Sequence, residues 1–153
     1  MDEKINLGIV VSEWNADITE MMLSRALAHA KFLGADVRYV FRVPGAFDAP
    51  LAVQNLIERK DVDAVATLGA VVEGGTDHDE IVAQHAARKI MDLSLQFRKP
   101  VSLGISGPGM SRPQGQERID DYARRAVESA VKLVKRTRVL AEKKAMEGTT
   151  VIE

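Results

Sequence analysis

Residue types that can do chemistry fall close together in one segment, Gly74-Gly75-Thr76-Asp77-His78-Asp79, of this 153-residue chain. The two glycines follow an apolar run of strand composition, Ala64–Val72, and Thr76 with Asp79 three positions on has the pattern of a helix capping box. A glycine turn between a strand and a helix presents free backbone N–H groups, and the helix dipole favours an anion there. We therefore predict a phosphate-binding turn at which the imidazole of His78 transfers protons. The alternative is a solvated histidine at a helix start, beside acids that only cap the helix.

Trp14 and Asn15 lie just beyond the first apolar run of the chain, Ile5–Val11. Trp14 is the single tryptophan, and a lone tryptophan is commonly a core residue. Its place in a loop after a strand, between Glu13 and Asn15, instead favours a planar surface on which a ring stacks, with the Asn15 amide as a hydrogen-bonding group beside it. From the sequence, both interpretations are open.

A second candidate loop, Val43–Pro50, contains two prolines that bracket a glycine and an acid. Asp48 could cap the next helix, with Pro50 near its first turn, so that the segment is simply a rigid turn. Alternatively, a stiff loop of this kind offers backbone N–H groups and a carboxylate to a polyol. The two interpretations are compatible, because a helix cap here lies at the same end of the sheet as the other candidate loops.

A glycine-rich loop, Ser106–Arg112, is predicted after the last apolar run, and Arg118 follows it. The loop is not a Walker sequence, because no Gly-Lys-Ser/Thr follows, but the guanidinium of Arg118 is suited to phosphate. His78 and His85 are seven positions apart on one predicted helix. No third ligand has a suitable spacing, so we predict no metal site.

The composition is that of an ordinary globular protein, with 46% hydrophobic residues, 28% charged residues and a formal net charge of −1. This balance indicates neither nucleic acid nor an anionic membrane as a partner. The last helical stretch is rich in Lys and Arg, but no aromatic residues interleave with them, which favours a solvated or subunit-facing helix. The absence of cysteine excludes disulfides and cysteine catalysis and fits a cytoplasmic protein. Met1 is not followed by a signal-peptide pattern, and no apolar run could span a bilayer.

The candidate loops can form one site only if the strands before them have their carboxyl ends at the same edge of a sheet. Four apolar runs alternate with helical patterns, and near-continuous apolarity indicates strands that are buried on both faces of a parallel sheet. Right-handed crossovers then predict a three-layer α/β sandwich of flavodoxin-like type, a single domain over residues 1–153. Such sheets bind ligands at the carboxyl ends of their strands. The predicted strands are Ile5–Val11, Val37–Val43, Ala64–Val72 and Val101–Ile105, and the predicted helices are Ile18–Leu33, Pro50–Arg59, Asp77–Phe97 and Arg118–Lys144.

Four motifs occur in order at the ends of the predicted strands: Trp14-Asn15, Val43–Pro50, Leu68–His78 and Pro100–Ile105. With them the sequence resembles, over nearly its whole length, the 6,7-dimethyl-8-ribityllumazine synthases of riboflavin synthesis, and above all the archaeal members. The resemblance implies a transferase without a cofactor, which condenses 5-amino-6-(D-ribitylamino)uracil with 3,4-dihydroxy-2-butanone 4-phosphate to give the lumazine, phosphate and water. It also implies a homo-oligomer, either a pentamer or a larger icosahedral shell of pentamers.

The resemblance further implies roles for individual residues. Trp14 would stack on the pyrimidine ring, and His78 would be the proton-transfer residue. Leu103 and Arg118 would come from the neighbouring subunit, Arg118 as the cation of the phosphate, and Arg125 falls near a basic position of the family. The other substrate-binding residues would be Asn15, Ala46, Phe47 and Asp48 on the ribityl side, Ala70, Val71 and Val72 through backbone groups at the heterocycle, and Gly75 and Thr76 at the phosphate.

Three residues depart from the family pattern without removing a required chemical role. Glu73 stands where many members have arginine, Asp48 where glutamate is commoner, and Leu103 where phenylalanine is frequent. Two other functions remain open on the same fold. One is a riboflavin synthase of the archaeal type, which would use two lumazine molecules, and the other is a non-catalytic flavin-binding or shell protein. The segment Gly75–His78 together with Arg118 favours a phosphate-bearing substrate.

Overall fold

Four strands of the computed structural model form one parallel sheet. The structure describes residues 3–153. Met1 and Asp2, the first residues of the predicted domain, lie outside the described part. The strands are β1 Asn6–Ser12, β2 Asp36–Val43, β3 Ala64–Val72 and β4 Val101–Met110. Their order in the sheet is β2-β1-β3-β4.

Helices cover both faces of the sheet. They are α1 Ala16–Phe32, α2 Ala49–Ile57, α3 His78–Phe97, α4 Arg112–Glu117 and α5 Ile119–Glu142, with a short 3-10 turn at Ala46–Asp48 before α2. One apolar core lies between the sheet and helices α1 and α5, and a second lies between the sheet and helices α2 and α3. The predicted three-layer α/β sandwich is therefore confirmed. None of the helices in residues 3–153 is long and apolar enough to cross a membrane.

The central strand β3 carries the strongest burial in the sheet. Eight of its nine residues are buried, because it pairs with β1 on one side and β4 on the other and lies beneath both helical layers. Its one hydroxyl, that of Thr67, donates a hydrogen bond of 2.8 Å to the carbonyl oxygen of Ser102. The apolar run of β3 follows from these surroundings, since a strand with two covered faces has no polar side.

The prediction that β4 ends at Ile105 and gives way to a glycine-rich loop is wrong. The strand continues to Met110, and α4 follows directly. Five residues of β4, Ser106–Met110, run beside only three of β3, Ala70–Val72, so the two extra residues form a bulge. Gly107 has φ +105°, and a Cβ there would lie 2.3 Å from the carbonyl oxygen of Val71. Glycine is therefore required by the close approach of the two strands, rather than by a free loop.

Lys99 joins the start of β4 to the end of α2. Its ammonium group donates hydrogen bonds to the carbonyl oxygens of Ile57, Arg59 and Val62, at 3.1, 2.9 and 2.9 Å. α2 ends at Ile57, so the Ile57 carbonyl is one of the groups that a helix end leaves unpaired, and a cation there is also favoured by the helix dipole. The carbonyls of Arg59 and Val62 belong to the connection that follows the helix. The side chain thus fixes the connection that leads from α2 into β3.

We expect Lys99→Met to lower the free energy of unfolding by about 1–3 kcal/mol, because it keeps the aliphatic stem and removes the donor from three carbonyl groups. Urea unfolding at a single protein concentration measures the difference. Lys89→Met is the matched control, because Lys89 is exposed on α3 and lies 3.6 Å from Asp92 in a surface ion pair of small energetic value. Equal stabilities of the two variants would contradict the structural role of Lys99.

Candidate active site

The carboxyl ends of β1, β2 and β3 open into one cavity of about 680 Å³, within the size range of small-molecule sites. Ten of the thirteen residues predicted for the site line this cavity. The other three, Gly75, Leu103 and Arg118, do not. The ten lining residues are Trp14, Asn15, Ala46, Phe47, Asp48, Ala70, Val71, Val72, Thr76 and His78.

The indole ring of Trp14 forms one wall of the cavity. Its backbone N–H donates to the carbonyl oxygen of Pro44 at 3.0 Å, and that of Glu13 donates to Val43 at 2.8 Å, so the β1–β2 pairing continues past the strand ends. The ring lies on Gly45, where a Cβ would approach Trp14 Cε3 to 2.6 Å. Trp14 is nevertheless 67% exposed. The core interpretation of this residue is therefore wrong, and the ring offers a planar surface to the cavity.

Asn15 adopts a left-handed backbone conformation, φ 61° and ψ 47°, at the start of α1. Its side chain makes no cap bond to the helix. Instead, Nδ2 donates to the carbonyl oxygen of Ala70 at 2.9 Å, and Oδ1 accepts from Nη2 of Arg112 at 2.7 Å. Arg112 also binds both carboxylate oxygens of Asp17 at 2.8 Å. Through this hydrogen bond the Arg112 guanidinium holds the pKa of the Asp17 carboxyl below its usual value.

The carboxylate of Asp48 stabilises the turn before α2, rather than α2 itself. Asp48 Oδ2 accepts a hydrogen bond of 3.0 Å from the backbone N–H of Gly45, and its side chain makes no cap bond to α2. The interpretation of the Asp48 side chain as the cap of α2 is therefore wrong, because the carboxylate turns back to Gly45, the residue just before the 3-10 turn Ala46–Asp48. Pro50 lies in the first turn of α2, as predicted. Phe47, in the same turn, is 59% exposed and faces the cavity.

His78 is the first residue of α3 and lines the cavity on the side of the glycine turn. The predicted capping box of Thr76 and Asp79 is not formed, because the helix begins one residue later, with Asp77 at the cap position and no side-chain cap bond. Asp79 Oδ2 instead accepts a hydrogen bond of 2.9 Å from the backbone N–H of Gly109 in β4. The first turn of α3 is thereby tied to the sheet while its cap position stays without a side-chain acceptor.

Four residues that the sequence analysis singled out do not line the cavity. Leu103 is on β4, an edge strand, and is 51% exposed. Arg118 connects α4 to α5. Arg125 pairs with Asp121, one turn earlier on α5, at 3.1 Å. Gly75 is an exposed residue of the turn before α3, and its neighbour Gly74 lines the cavity in its place.

Several cavity residues were not predicted from the sequence. Ile81 and Val82 follow His78 at helical spacings of three and four, and this periodicity could have identified them. Ser12 ends β1 on the cavity floor, and its buried hydroxyl has no hydrogen-bond partner in residues 3–153. The remaining unpredicted lining residues are Gly45, Gly74 and Asp79.

The charged side chains of the described residues do not gather into a metal site. Within residues 3–153, no three His, Asp or Glu side chains lie close enough together to hold a metal ion. Basic residues of α5 form ion pairs with acids one turn away, among them Arg124 with Asp120 at 3.4 Å and Lys132 with Glu128 at 2.8 Å. Alternating charges of this kind are typical of a solvated helix face.

Comparison with known proteins shows which family the sequence resembles. The sequence profile of 6,7-dimethyl-8-ribityllumazine synthase matches residues 4–138. Three relatives that carry this name are from archaeal strains. The relative from Saccharolobus islandicus strain L.S.2.15 is 58% identical over 154 aligned residues, with both chains fully covered. That from Metallosphaera sedula is 59% identical over 141 residues, 92% of this chain and 93% of its own. That from Staphylothermus marinus is 56% identical over 147 residues, 96% of this chain and 98% of its own.

Among solved structures, a de novo designed Rossmann fold protein is a distant neighbour, with 15% identity and a TM-score of 0.37 over 79% of this chain and 98% of that chain. This similarity is too slight to bear on function. The family profile covers most of the chain, and the three relatives cover 92–100% of it. The chain therefore belongs to the 6,7-dimethyl-8-ribityllumazine synthase family.

Proposed function

We propose that this protein is a 6,7-dimethyl-8-ribityllumazine synthase, which condenses 5-amino-6-(D-ribitylamino)uracil with 3,4-dihydroxy-2-butanone 4-phosphate and releases phosphate and water. The observation that carries the proposal is the cavity itself. An exposed tryptophan ring forms one wall, and a helix start with a histidine forms the other. One wall thus suits a planar heterocycle and the other a phosphate. The site binds two different substrates side by side, and holding two reactants together supplies much of the rate.

The pyrimidine substrate lies against Trp14 in this proposal. Its ring stacks on the indole face, and the backbone of Ala70–Val72, at the end of β3, offers hydrogen-bonding groups to its edge. The ribityl chain extends towards Asn15, Phe47 and Asp48. Asp48 has one carboxylate oxygen engaged by Gly45, which leaves the other for a hydroxyl group of the ribityl chain.

The butanone phosphate lies at the glycine turn. Gly75 and Thr76 hold its phosphate, together with the uncapped amides at the start of α3, where the helix dipole favours an anion. The reaction joins an amine to a carbonyl, expels water, eliminates phosphate and closes a ring. Each of these steps moves protons between bound partners, and imidazole is the side chain that exchanges protons near neutral pH. His78 has this role because it lies between the phosphate turn and the rest of the cavity.

A neighbouring subunit completes the site. Arg118 supplies the cation for the phosphate and Leu103 an apolar wall, both from the next chain of a homo-oligomer, most simply a pentameric ring that could also build a larger shell. The exposed apolar side chains of α2, α3 and β4 support such contacts. They include Leu51, Met91, Leu95 and Leu103, which are 51–73% exposed in the single chain.

The proposal also covers the organisation of the chain and its place in the cell. Residues 1–153 act as a single domain, supported by one continuous sheet with a core on each face. The chain contains no cysteine, which fits work in a reducing cytoplasm.

We expect His78→Ala to lower turnover by ~10²-fold or more, because general acid–base groups contribute on this scale. Steady-state kinetics with both substrates measure the loss, and circular dichroism and sedimentation check that the fold and the assembly are intact. His85→Ala is the matched control, since His85 is exposed on the same helix and does not line the cavity. Wild-type turnover in the His78 variant would remove the catalytic assignment.

We expect the lumazine product to quench the emission of Trp14, the single tryptophan. Trp14→Ala should weaken binding of the pyrimidine substrate by roughly 1–3 kcal/mol, the scale of base–aromatic stacking. Trp14→Phe should lose little, because an aromatic face remains. Fluorescence titration and calorimetry measure these changes. An emission that stays constant at saturating lumazine would contradict the stacking role.

We expect Arg118→Ala and His78→Ala to be individually inactive and to complement each other. If the two residues of one site come from neighbouring chains, co-refolding equal amounts restores roughly a quarter of the sites in a ring. Activity of the mixture is compared with that of each variant alone, and sedimentation reports the size of the assembly. Failure of the mixture to recover activity, or an active monomer, would contradict the shared site.

A further inference from the structure

The end of β3 projects beyond its neighbour β1. The β1–β3 pairing ends at Val11 and Leu68, whereas β3 continues to Val72. Beyond β1, the backbone N–H groups of Glu13 and Trp14 donate to the carbonyl oxygens of Val43 and Pro44, on the side away from β3. The carbonyl oxygen of Ala70 is instead reached by a side chain, since Nδ2 of Asn15 donates to it at 2.9 Å. The Asn15 amide thus replaces a main-chain bond at the cavity wall.

Arg112 fixes the direction of that amide. A guanidinium only donates hydrogen bonds, and a carbonyl oxygen only accepts them. Because Arg112 Nη2 lies 2.7 Å from one end of the amide and the Ala70 oxygen lies 2.9 Å from the other, the first must be Oδ1 and the second Nδ2. Each end of the amide thus already has one protein partner, and Nδ2 has a second N–H left to donate to a ligand.

Arg112 is itself held in place from two sides. Its Nη1 binds both carboxylate oxygens of Asp17. It is also the first residue of α4, whose start is fixed by reciprocal bonds between Ser111 and Gln114. Farther along α4, a Cβ on Gly115 would lie 2.9 Å from Ile18 Cδ1, so the two helices are in close contact. The guanidinium accordingly has a defined position relative to α1.

We propose that Arg112 is a positioning residue, which acts through Asn15 and commits it to donate a hydrogen bond to an oxygen of the ribitylaminouracil substrate. Arg112 does not line the cavity, so its effect on binding passes through the amide that it orients. The identity of the substrate in this proposal rests on the function proposed above. Without Arg112 the amide keeps only its bond to the carbonyl oxygen of Ala70, so it can rotate about that contact, and the substrate then meets a less ordered group.

Calorimetric binding of 5-amino-6-(D-ribitylamino)uracil tests this inference without depending on turnover. We expect Arg112→Ala to raise the Kd roughly tenfold, the effect of one ordered hydrogen bond, and Arg112→Lys to recover part of it. The matched control is Arg59→Ala. Arg59 also binds a carboxylate, since its Nε and Nη2 donate to Asp61 at 2.8 and 3.2 Å. Neither Arg59 nor Asp61 lines the cavity, so the Kd of the Arg59→Ala variant should equal that of the wild type.

A double-mutant cycle separates positioning from a general structural effect. In the Asn15→Ala background, Arg112→Ala should add no further increase in Kd, because the group through which it acts is absent. A full tenfold increase in that background, or an Arg112→Ala Kd equal to that of Arg59→Ala, would overturn the inference. Wild-type turnover with both substrates is measured separately: tight binding of the pyrimidine without turnover would count against the proposed function and leave the role of Arg112 intact.

Discussion

The burial of β3 between two strands and two helical layers is the constraint on which the rest of the structure depends. A strand that is covered on both faces must be apolar throughout and must have its polar backbone paired on both edges. β1 and β4 satisfy these edges over most of its length, and α1, α5, α2 and α3 cover its faces. Only the carboxyl end of β3 extends past β1. The backbone that β1 leaves unpaired there, at Ala70–Val72, lines the cavity.

The cavity walls are loops, but specific contacts fix each of them. Gly45 lets the Trp14 ring lie directly on the backbone, and the same glycine donates its N–H to Asp48. Asp79 ties the start of α3 to Gly109. A site that binds two substrates in a defined relation needs such fixed walls, because small displacements of reacting groups are costly in rate. Gly45 therefore contributes to rigidity here, because it permits a close contact with Trp14 that any side chain would prevent.

Most of the predicted site residues line the cavity, whereas Leu103 and Arg118 lie outside it. This arrangement fits the function that we propose for this family member. Groups suited to a heterocycle and to a helix-bound phosphate lie together in one chain. Leu103 is exposed at the sheet edge and Arg118 lies between α4 and α5, away from this cavity. A phosphate leaving group is stabilised best when a cation joins the helix amides. In the proposed assembly a second chain supplies that cation, so oligomer formation and catalysis would depend on the same contacts.

The sequence by itself determined the strands, the four long helices and most of the residues that line the cavity. Apolar runs such as Ala64–Val72 and the break at Lys99-Pro100 specify strands and helix ends through neighbouring residues alone. Residues with reactive or polar side chains that directly follow a strand must lie at the carboxyl end of that strand. Only the tertiary structure decided the extension of β4 to Met110, because its bulge depends on pairing with β3. The same holds for the bond of Asp79 to Gly109, 30 positions away, and of Asn15 to Arg112, 97 positions away. Such partners are chosen by which elements pack together in space, and neither residue type nor local spacing encodes that choice.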